Sequence, residues 1–495
     1  MSTNHVILNI CLYFLTLFII AYFTARGATT SVYFNAEKKA PWFLVAIGSV
    51  GAFLSGFLFL NIPGFVGTND FSYIQRVFGY LVGYSFVATI LLPLFYKLNV
   101  VSIYQYLEER LGFWSHKTGS VFFILSRLIA TAFMVYVSAK SAQSYMFEEL
   151  GFNYGLTVFI VLLVVLLYSM RGGIKTIVFT DVFHTIIIVS TISVIAYLVM
   201  DKLGVTFNEA MVQVQESEYS KAFFWDTGDP RHFFTQFFAG VFIAVVMNGL
   251  DQAVMQKHLS CATVADAQKN MIWFSIFLVI INIALLTLGA LLYIYADAEG
   301  MQIPASGNDF YVLVIQDHLG KFTGLLFMLG LIAATCANAD SSMIALTSAF
   351  TVDFLEFTKT KTGEAKKRMR RIQSQIVFAI LLFLLVILFN AFKNRTVVDS
   401  IYTIASYTYG PLIGLFAFGI FTKWKIKDQF VPAICAISTV LCYLMDFFSE
   451  SLFGGYQFGY NLLMINGGVT FVALMLLIKK EKPDEVALAN DMGRS

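Results

Sequence analysis

The chain has 495 residues, of which 58% are hydrophobic and 13% are charged, whereas a soluble domain has about 45–50% and about 25%. Its mean hydropathy is +0.74. This composition excludes an ordinary soluble enzyme and indicates a membrane protein with many spans. The net charge of +2 gives no reason to expect a nucleic-acid partner.

Thirteen apolar runs approach or exceed the roughly 20 residues needed to cross a bilayer. The first run has no basic start and no small-residue cleavage site, so it is predicted to be a spanning helix rather than a signal peptide. We therefore predict an all-α protein with thirteen transmembrane helices. Their predicted cores are 5–25, 42–66, 77–96, 118–139, 153–170, 176–200, 234–256, 271–295, 322–350, 373–392, 399–422, 429–447 and 457–478.

The Lys and Arg residues are unevenly shared between alternate loops. With the N-terminus outside, 24 of the 33 basic residues fall on the inner side and 8 on the outer side, with Arg127 in mid-helix. Cytoplasmic loops carry the excess of basic residues. The bias predicts an outside N-terminus and a cytoplasmic tail at 479–495. No loop is long enough for a separate domain, so the function is expected within one membrane domain, 1–495.

Four ionisable residues lie within or near predicted spans: Arg127, Asp181, Asp251 and Asp340. Charge inside a bilayer is expensive, so such residues are functional candidates. A structural ion pair remains open for Arg127, and a capping or solvated carboxylate for Asp251. Asp181, Asp340 and Arg127 together leave one negative charge, which a bound monovalent cation would balance.

Two Gly-rich runs predict helices that are broken in mid-membrane. They cover 48–64, with Pro63 at its end, and 240–252. A broken helix can offer backbone carbonyls to an ion, although small residues also permit close helix packing. Both runs begin a group of five helices, 42–200 and 234–422. An odd number of spans places the two groups in opposite orientations, as in transporters with inverted repeats.

Several ordered motifs between residues 36 and 430 resemble those of the sodium:solute symporter family. Residues 172–182 resemble its GGI…TDV motif, and residues 249–270 its G-x-x-Q…QR-x-L motif. Residues 89–112 and 409–421 are similar to two further family stretches. These sequences are GGIKTIVFTDV, GLDQAVMQKHLSCATVADAQKN, TILLPLFYKLNVVSIYQYLEERLG and YGPLIGLFAFGIF.

The resemblance implies a LeuT-like fold with a 5+5 inverted repeat. In this interpretation 1–41 holds an extra N-terminal helix and linker, 42–200 is the first repeat and 234–422 is the second. Residues 429–478 then form two C-terminal helices.

The resemblance also implies ion-binding residues. The main sodium site of the family aligns with the carbonyls of Gly51, Leu54 and Ala334, and its two hydroxyl positions align with Ala337 and Asn338. An Asn side-chain oxygen can still ligate a hard cation. A second sodium site in some members aligns with Asp181, and its hydroxyl partners align with Asp340 and Ser341.

Substrate-contacting positions of the family align with Ser55, Leu58, Val77 and Arg127. The sugar-binding signature is absent, since Leu58 and Val77 replace polar contacts. Arg127 aligns with an arginine that holds the substrate carboxylate in sialic-acid transporters. An anionic substrate is therefore suggested.

We expect a secondary active transporter that couples a small organic solute to sodium in a bacterial inner membrane. The partners would be the solute, sodium and lipid, with no other metal or cofactor, and the oligomeric state is left open. Proton coupling through Asp181 and Asp340 is the alternative, since two adjacent carboxylates can hold one proton. A transporter-like nutrient sensor is a remote alternative, and a membrane enzyme is not expected.

Overall fold

The computed structural model describes residues 3–143, 147–148, 151–304, 306–357, 359, 363–392, 403, 407–454, 458 and 461–479. Within these ranges the regular structure is helical, apart from two isolated β-bridges, Ala40 with Cys261 and Ile426 with Ile478. The predicted all-α class is confirmed.

Fourteen helices organise the described chain. The first seven are α1 (Thr3–Thr24), α2 (Trp42–Asn69), α3 (Tyr73–Leu98), α4 (Phe113–Ala142), α5 (Tyr154–Gly172), α6 (Ile174–Leu203) and α7 (Phe233–Gly249). The others are α8 (Gln252–His258), α9 (Val264–Ala298), α10 (Gly320–Phe354), α11 (Glu364–Ala391), α12 (Tyr409–Phe421), α13 (Asp428–Phe447) and α14 (Asn461–Met475). Shorter helices lie between them.

Ten of these helices are long and apolar enough to cross a membrane, and the bent pair of α7 and α8 makes an eleventh span. The predicted spans 399–422 and 457–478 correspond to the shorter apolar helices α12 and α14. Parts of both segments lie outside the described residues. The count of thirteen therefore stays a prediction.

Two helices are broken where the Gly-rich runs predict it. In α2 the backbone of Ser55 is non-helical, with φ 40° and ψ 160°. Helix α7 ends at Gly249 and α8 begins at Gln252, with a bend of 73° between them. A residue with positive φ interrupts the backbone ladder of a right-handed helix. Both breaks leave backbone polar groups available for other contacts.

Small residues also bring the helices unusually close. A Cβ atom added to Gly48 of α2 would lie 2.8 Å from the Cβ of Asp181 in α6. The amide of Gly51 donates to Thr185 Oγ1 at 3.1 Å. The 48–64 run therefore shows both predicted features, a helix break and close packing. The close packing brings the broken helix into contact with Asp181.

The chain divides into two compact units. The first comprises 1–103 and 126–403, and it contains every predicted site residue. The second comprises 104–125 and 404–495. Within the second, Asp428 accepts hydrogen bonds from the amides of Trp114 and Ser115 at the start of α4, and α12 packs against α14. The predicted repeat boundaries, 42–200 and 234–422, stay a prediction.

Candidate functional site

A buried lysine pairs with the first of the predicted intramembrane aspartates. Lys257 Nζ lies 2.5 Å from Asp181 Oδ2, and the two residues are 3% and 0% exposed. Helix α8 follows the 73° bend and packs against α10 and α6, so that Lys257, near the end of α8, meets the first third of α6. The predicted span 234–256 ends one residue before Lys257, whereas in the structure Lys257 lies within α8 and is buried.

Asp340 of α10 lies beside this pair. Its Oδ2 accepts a hydrogen bond from the Tyr168 hydroxyl at 2.6 Å and lies 4.0 Å from His184 Nε2. His184 is one turn beyond Asp181 on α6, and its Nδ1 is 2.9 Å from the Tyr13 hydroxyl. We call Asp181, His184, Lys257 and Asp340 the lysine cluster. That Asp181 and Asp340 share one ion stays a prediction.

Arg127 belongs to a different cluster at the second helix break. Its Nε donates to Ser342 Oγ at 2.9 Å, and its Nη1 lies 3.3 Å from Asp251 Oδ2. Asp251 Oδ1 caps α8 by accepting from the Ala253 amide at 2.7 Å. The ion pair considered for Arg127 and the cap considered for Asp251 are both present. Asp251 is fully buried, so the solvated alternative is wrong. We call Arg127, Asp251 and Ser342 the arginine cluster.

The residues of the predicted main sodium site lie on α2 and α10, which pack against each other; that they bind sodium stays a prediction. Leu54 and Ala334 are fully buried, and Asn338 is 6% exposed. The Oδ1 of Asn338 is buried and accepts no hydrogen bond, so this oxygen is available to a cation. The carbonyl of Asn338 accepts a hydrogen bond from Ser342 Oγ at 2.7 Å. Asn338 therefore adjoins the arginine cluster through Ser342.

Ser341, the remaining predicted ion ligand, lies within the hydrogen-bonding range of two acceptors. Its hydroxyl oxygen is 2.8 Å from the Ala337 carbonyl and 3.1 Å from Asp340 Oδ1. A hydroxyl group has one proton to donate. It therefore cannot satisfy both acceptors fully, and a proton or a cation at Asp340 Oδ1 would complete the contact.

The predicted substrate-binding residues lie in different local environments. Ser55 forms the break in α2, and its Oγ accepts from the Leu58 amide at 3.4 Å. Val77 of α3 is fully buried. A cavity of about 360 Å³ is lined in part by the end of α4, and its lining does not include these residues. That Arg127 faces a central cavity beside Ser55 and Leu58 stays a prediction. The cavity is lined by polar residues that include Tyr136, Lys140, Asn308, Asp309 and Asp317.

The buried charges of the described residues do not balance. Four aspartates, at 181, 251, 340 and 353, are fully buried. Against them stand the buried Lys257 and Arg371 and Arg127, whose side chain is 11% exposed. With each group in its ordinary charge state, these seven residues carry a net charge of −1. The sequence argument reached the same value from three residues, because it left out two cations, Lys257 and Arg371, and two aspartates, Asp251 and Asp353.

Comparison with known proteins identifies the family of this chain. The model of the sodium:solute symporter family matches residues 33–428. The chain belongs to the sodium:solute symporter family. Its members are transporters rather than enzymes, which confirms the predicted class of function.

Individual relatives are distant but are matched over most of their length. The chain is 24% identical to a sodium/sialic acid symporter of Aliivibrio fischeri over 85% of this chain and 83% of the relative. It is 21% identical to a sodium/sialic acid symporter of Proteus mirabilis over 81% of each. The structure of a substrate-bound, outward-open Na+-coupled sialic acid symporter superposes with a TM-score of 0.80 at 19% identity, covering 95% of this chain and 98% of that one. This likeness confirms the LeuT-like fold.

Proposed function

We propose that this protein is a sodium-coupled symporter that carries a small organic anion into a bacterial cell by alternating access. Its N-terminus would face outside and its C-terminus the cytoplasm, in line with the bias of basic residues. Arg127 carries the substrate part of the proposal. It is a nearly buried cation at a broken helix, where transporters of this architecture bind substrate.

The arrangement of Arg127 supports an exchangeable contact with a carboxylate. The contacts of its guanidinium group include one carboxylate oxygen at 3.3 Å and one hydroxyl at 2.9 Å. An arginine can bind a carboxylate through two parallel hydrogen bonds at about 2.7–2.9 Å. A substrate anion could therefore replace the longer contact with Asp251, whose other oxygen would stay on the α8 cap. Ser55, Leu58 and Val77 would line the same path.

Two groups of oxygens support the sodium part. Gly51, Leu54, Ala334 and Asn338 would form the main site, with Asn338 Oδ1 as its side-chain ligand. A second cation-binding position would consist of Asp181, Asp340 and Ser341. Its negative charge would come from the two aspartates. Hard cations prefer oxygen ligands of these kinds, and the unbalanced buried charge favours one bound cation.

Uptake into proteoliposomes tests this function. Candidate sialic acids, carboxylates, amino acids and sugars are first screened by thermal stabilisation with sodium and with choline. We expect an organic acid to stabilise the protein in sodium only, and to accumulate when a sodium gradient is imposed. Asp340→Asn should lower the apparent sodium affinity about tenfold or more without loss of folded protein. Uptake of an uncharged sugar, or uptake that ignores sodium, contradicts the proposal.

Proton coupling on the same fold is the second candidate, and the contacts of Ser341 favour it. If the hydroxyl proton serves the Ala337 carbonyl, a proton on Asp340 Oδ1 could be donated to Ser341 Oγ in return. Uptake at fixed sodium under an imposed proton gradient separates the two candidates. Accumulation that follows the proton gradient and persists in choline would identify a proton symporter.

A further inference from the structure

The start of α11 carries the densest group of basic residues in the chain. Seven Lys and Arg residues fall between positions 356 and 372, and four of them lie on the first two turns of α11, which begins at Glu364. We call these four residues the basic patch: Lys366, Lys367, Arg368 and Arg370. Three of them are exposed, and Lys367 is half-buried.

The exposed residues of the basic patch have no carboxylate partner among the described residues. The side chains of Lys366, Arg368 and Arg370 form no ion pair and no hydrogen bond there. Glu364, the acidic residue of the first turn, contacts a different segment, since its Oε2 accepts a hydrogen bond from the Thr30 hydroxyl at 2.7 Å. The N-terminal end of a helix is also its positive end. The helix dipole therefore adds to the positive charge of the patch, and a bound anion would offset both.

The basic patch shares one face of α11 with an exposed apolar stripe. Residues three, four or seven positions apart lie on the same side of an α-helix, and this spacing connects Lys366 and Arg370 with the stripe. The stripe consists of Val377, Ile380, Leu384 and Leu388, which are 53%, 53%, 56% and 49% exposed. The opposite face of α11 is buried at Phe378, Leu382, Val386 and Phe389. Because α11 is long and apolar enough to cross a membrane, we expect the stripe to contact lipid acyl chains.

The spacing along the helix places the patch at the level of the lipid headgroups. From Ile376 onwards the exposed residues of α11 carry no charge. Arg370 precedes Ile376 by six residues, about 9 Å along the helix axis, and the headgroup layer on each side of a bilayer is about 5–8 Å thick. The long side chains of Lys and Arg can reach across the difference. A phospholipid whose acyl chains lie along the stripe would therefore present its phosphate group to Arg370 and Lys366.

The end of α5 enlarges this basic surface. Helices α5 and α11 pack together, and Nη2 of the buried Arg371 donates to the Met170 carbonyl at 3.4 Å. The next residue, Arg171, is exposed and forms no ion pair with a described residue. The preference of basic residues for inner loops explains why these residues are present. It does not explain why the patch is aligned with an apolar stripe.

We propose that the basic patch and the apolar stripe of α11 form a binding site for an anionic phospholipid of the phosphatidylglycerol type, with Lys366 and Arg370 on its phosphate group. Clusters of about four to eight basic residues beside a membrane span bind anionic headgroups, and each residue contributes roughly a fivefold gain in affinity. Arginine also binds phosphate through two parallel hydrogen bonds. This site is separate from the ion and substrate sites of the proposed function and does not depend on them.

The experiment adds phosphatidylglycerol to the full-length protein in a mild nonionic detergent at low salt and measures thermal stabilisation. We expect the stabilisation to saturate with added lipid and to weaken as salt is raised. Lys366→Gln/Arg370→Gln should need roughly 25-fold more phosphatidylglycerol, since two residues are lost at about fivefold each. Gln is a good helix former, so this variant should fold normally without the lipid.

The matched control is Lys202→Gln/Lys321→Gln, which also removes two exposed positive charges. Lys202 lies at the end of α6 and Lys321 at the start of α10, both on the opposite side of the membrane from the start of α11. This variant should respond to phosphatidylglycerol as the wild type does. An equal loss of response in the control would mean that only the net charge of the protein matters, and the proposed site would be wrong.

Further results would overturn the lipid site without affecting the proposed function, because neither sodium nor substrate is measured. These results are a wild type that phosphatidylglycerol does not stabilise, and a Lys366→Gln/Arg370→Gln variant with the response of the wild type. Equal stabilisation by phosphatidylcholine would remove the role of charge, and equal stabilisation by inorganic phosphate would make this a site for free anions. If the double variant cannot be purified, native mass spectrometry of the wild type with an equal mixture of the two lipids decides. We expect phosphatidylglycerol to be retained preferentially, and equal retention overturns the proposal.

Discussion

The arginine cluster and the lysine cluster each contain an ion pair between a cation and a carboxylate, but the two pairs differ in length and in burial. In the arginine cluster the ion pair spans 3.3 Å, and the Arg127 side chain is 11% exposed. In the lysine cluster the pair spans 2.5 Å, and its side chains are 4% and 1% exposed. A long, partly exposed pair can exchange one partner for a ligand, whereas a short, enclosed pair resists exchange. This difference favours the first cluster for the proposed substrate binding, and it makes the second cluster a structural ion pair.

The largest expected effect comes from removing half of the enclosed pair. Lys257→Met should lower the free energy of unfolding in sodium-free choline buffer by about 3–5 kcal/mol, because a buried carboxylate is left without its cation. Denaturant titration in mild detergent measures this change. Asp181→Asn/Lys257→Met should recover most of the loss. A single variant as stable as the wild type in choline would contradict the enclosed character of the lysine cluster.

The second prediction concerns membrane potential. One sodium ion carried with one monovalent anion moves no net charge, so an imposed potential should not drive uptake by the wild type. If two sodium ions accompany the anion instead, each cycle moves one positive charge. A potential of 100 mV then contributes about 2.3 kcal/mol, equivalent to about 50-fold accumulation at 1.4 kcal/mol per factor of ten. Uptake by proteoliposomes with and without a potassium diffusion potential measures this dependence. Strong potential dependence in the wild type would contradict single-sodium coupling to a monovalent anion.

The sequence carried more information about the fold than about these clusters. Apolar runs located the spans, and the Gly residues around Ser55 and Gly249 located both helix breaks, because backbone geometry depends on local residue type. Ion pairs between distant parts of the chain do not depend on local residue type, so local patterns do not predict them. Lys257 is six residues beyond Asp251 in a motif with polar neighbours. Its burial depended on the angle and direction of the bend, which the Gly residues do not specify. Tyr13, Tyr168 and His184 had no signal, since aromatic residues are common in membrane helices and their contacts join distant parts of the chain.

A third prediction tests whether the arginine cluster binds the substrate anion. Arg127→Lys keeps the charge but loses the fork that binds a carboxylate through two hydrogen bonds. We expect the substrate affinity to fall by about 2 kcal/mol, roughly 30-fold, the worth of a charge-assisted hydrogen bond. Isothermal binding in sodium measures this loss. Arg231→Lys is the matched control, because Arg231, in the segment between α6 and α7, also pairs with two carboxylates, those of Asp229 and Asp70; its substrate affinity should be unchanged. Reduced stability with normal affinity in Arg127→Lys would make the arginine cluster structural.

The smallest expected effect separates helix capping from ion pairing. Asp428 and Asp251 both accept amide hydrogen bonds at the start of a helix, Asp428 from Trp114 and Ser115 and Asp251 from Ala253. Only Asp251 belongs to a cluster with a buried cation. Asn remains a good cap because its side-chain oxygen still accepts such a bond. Asp428→Asn should therefore lower the free energy of unfolding by about 1 kcal/mol or less, with unchanged sodium and substrate binding. Asp251→Asn keeps a similar cap but removes the charge that faces Arg127, so it should change substrate affinity as well. Equal effects of the two substitutions on binding would mean that Asp251 acts only as a cap, and Arg127 would then need another explanation for its burial.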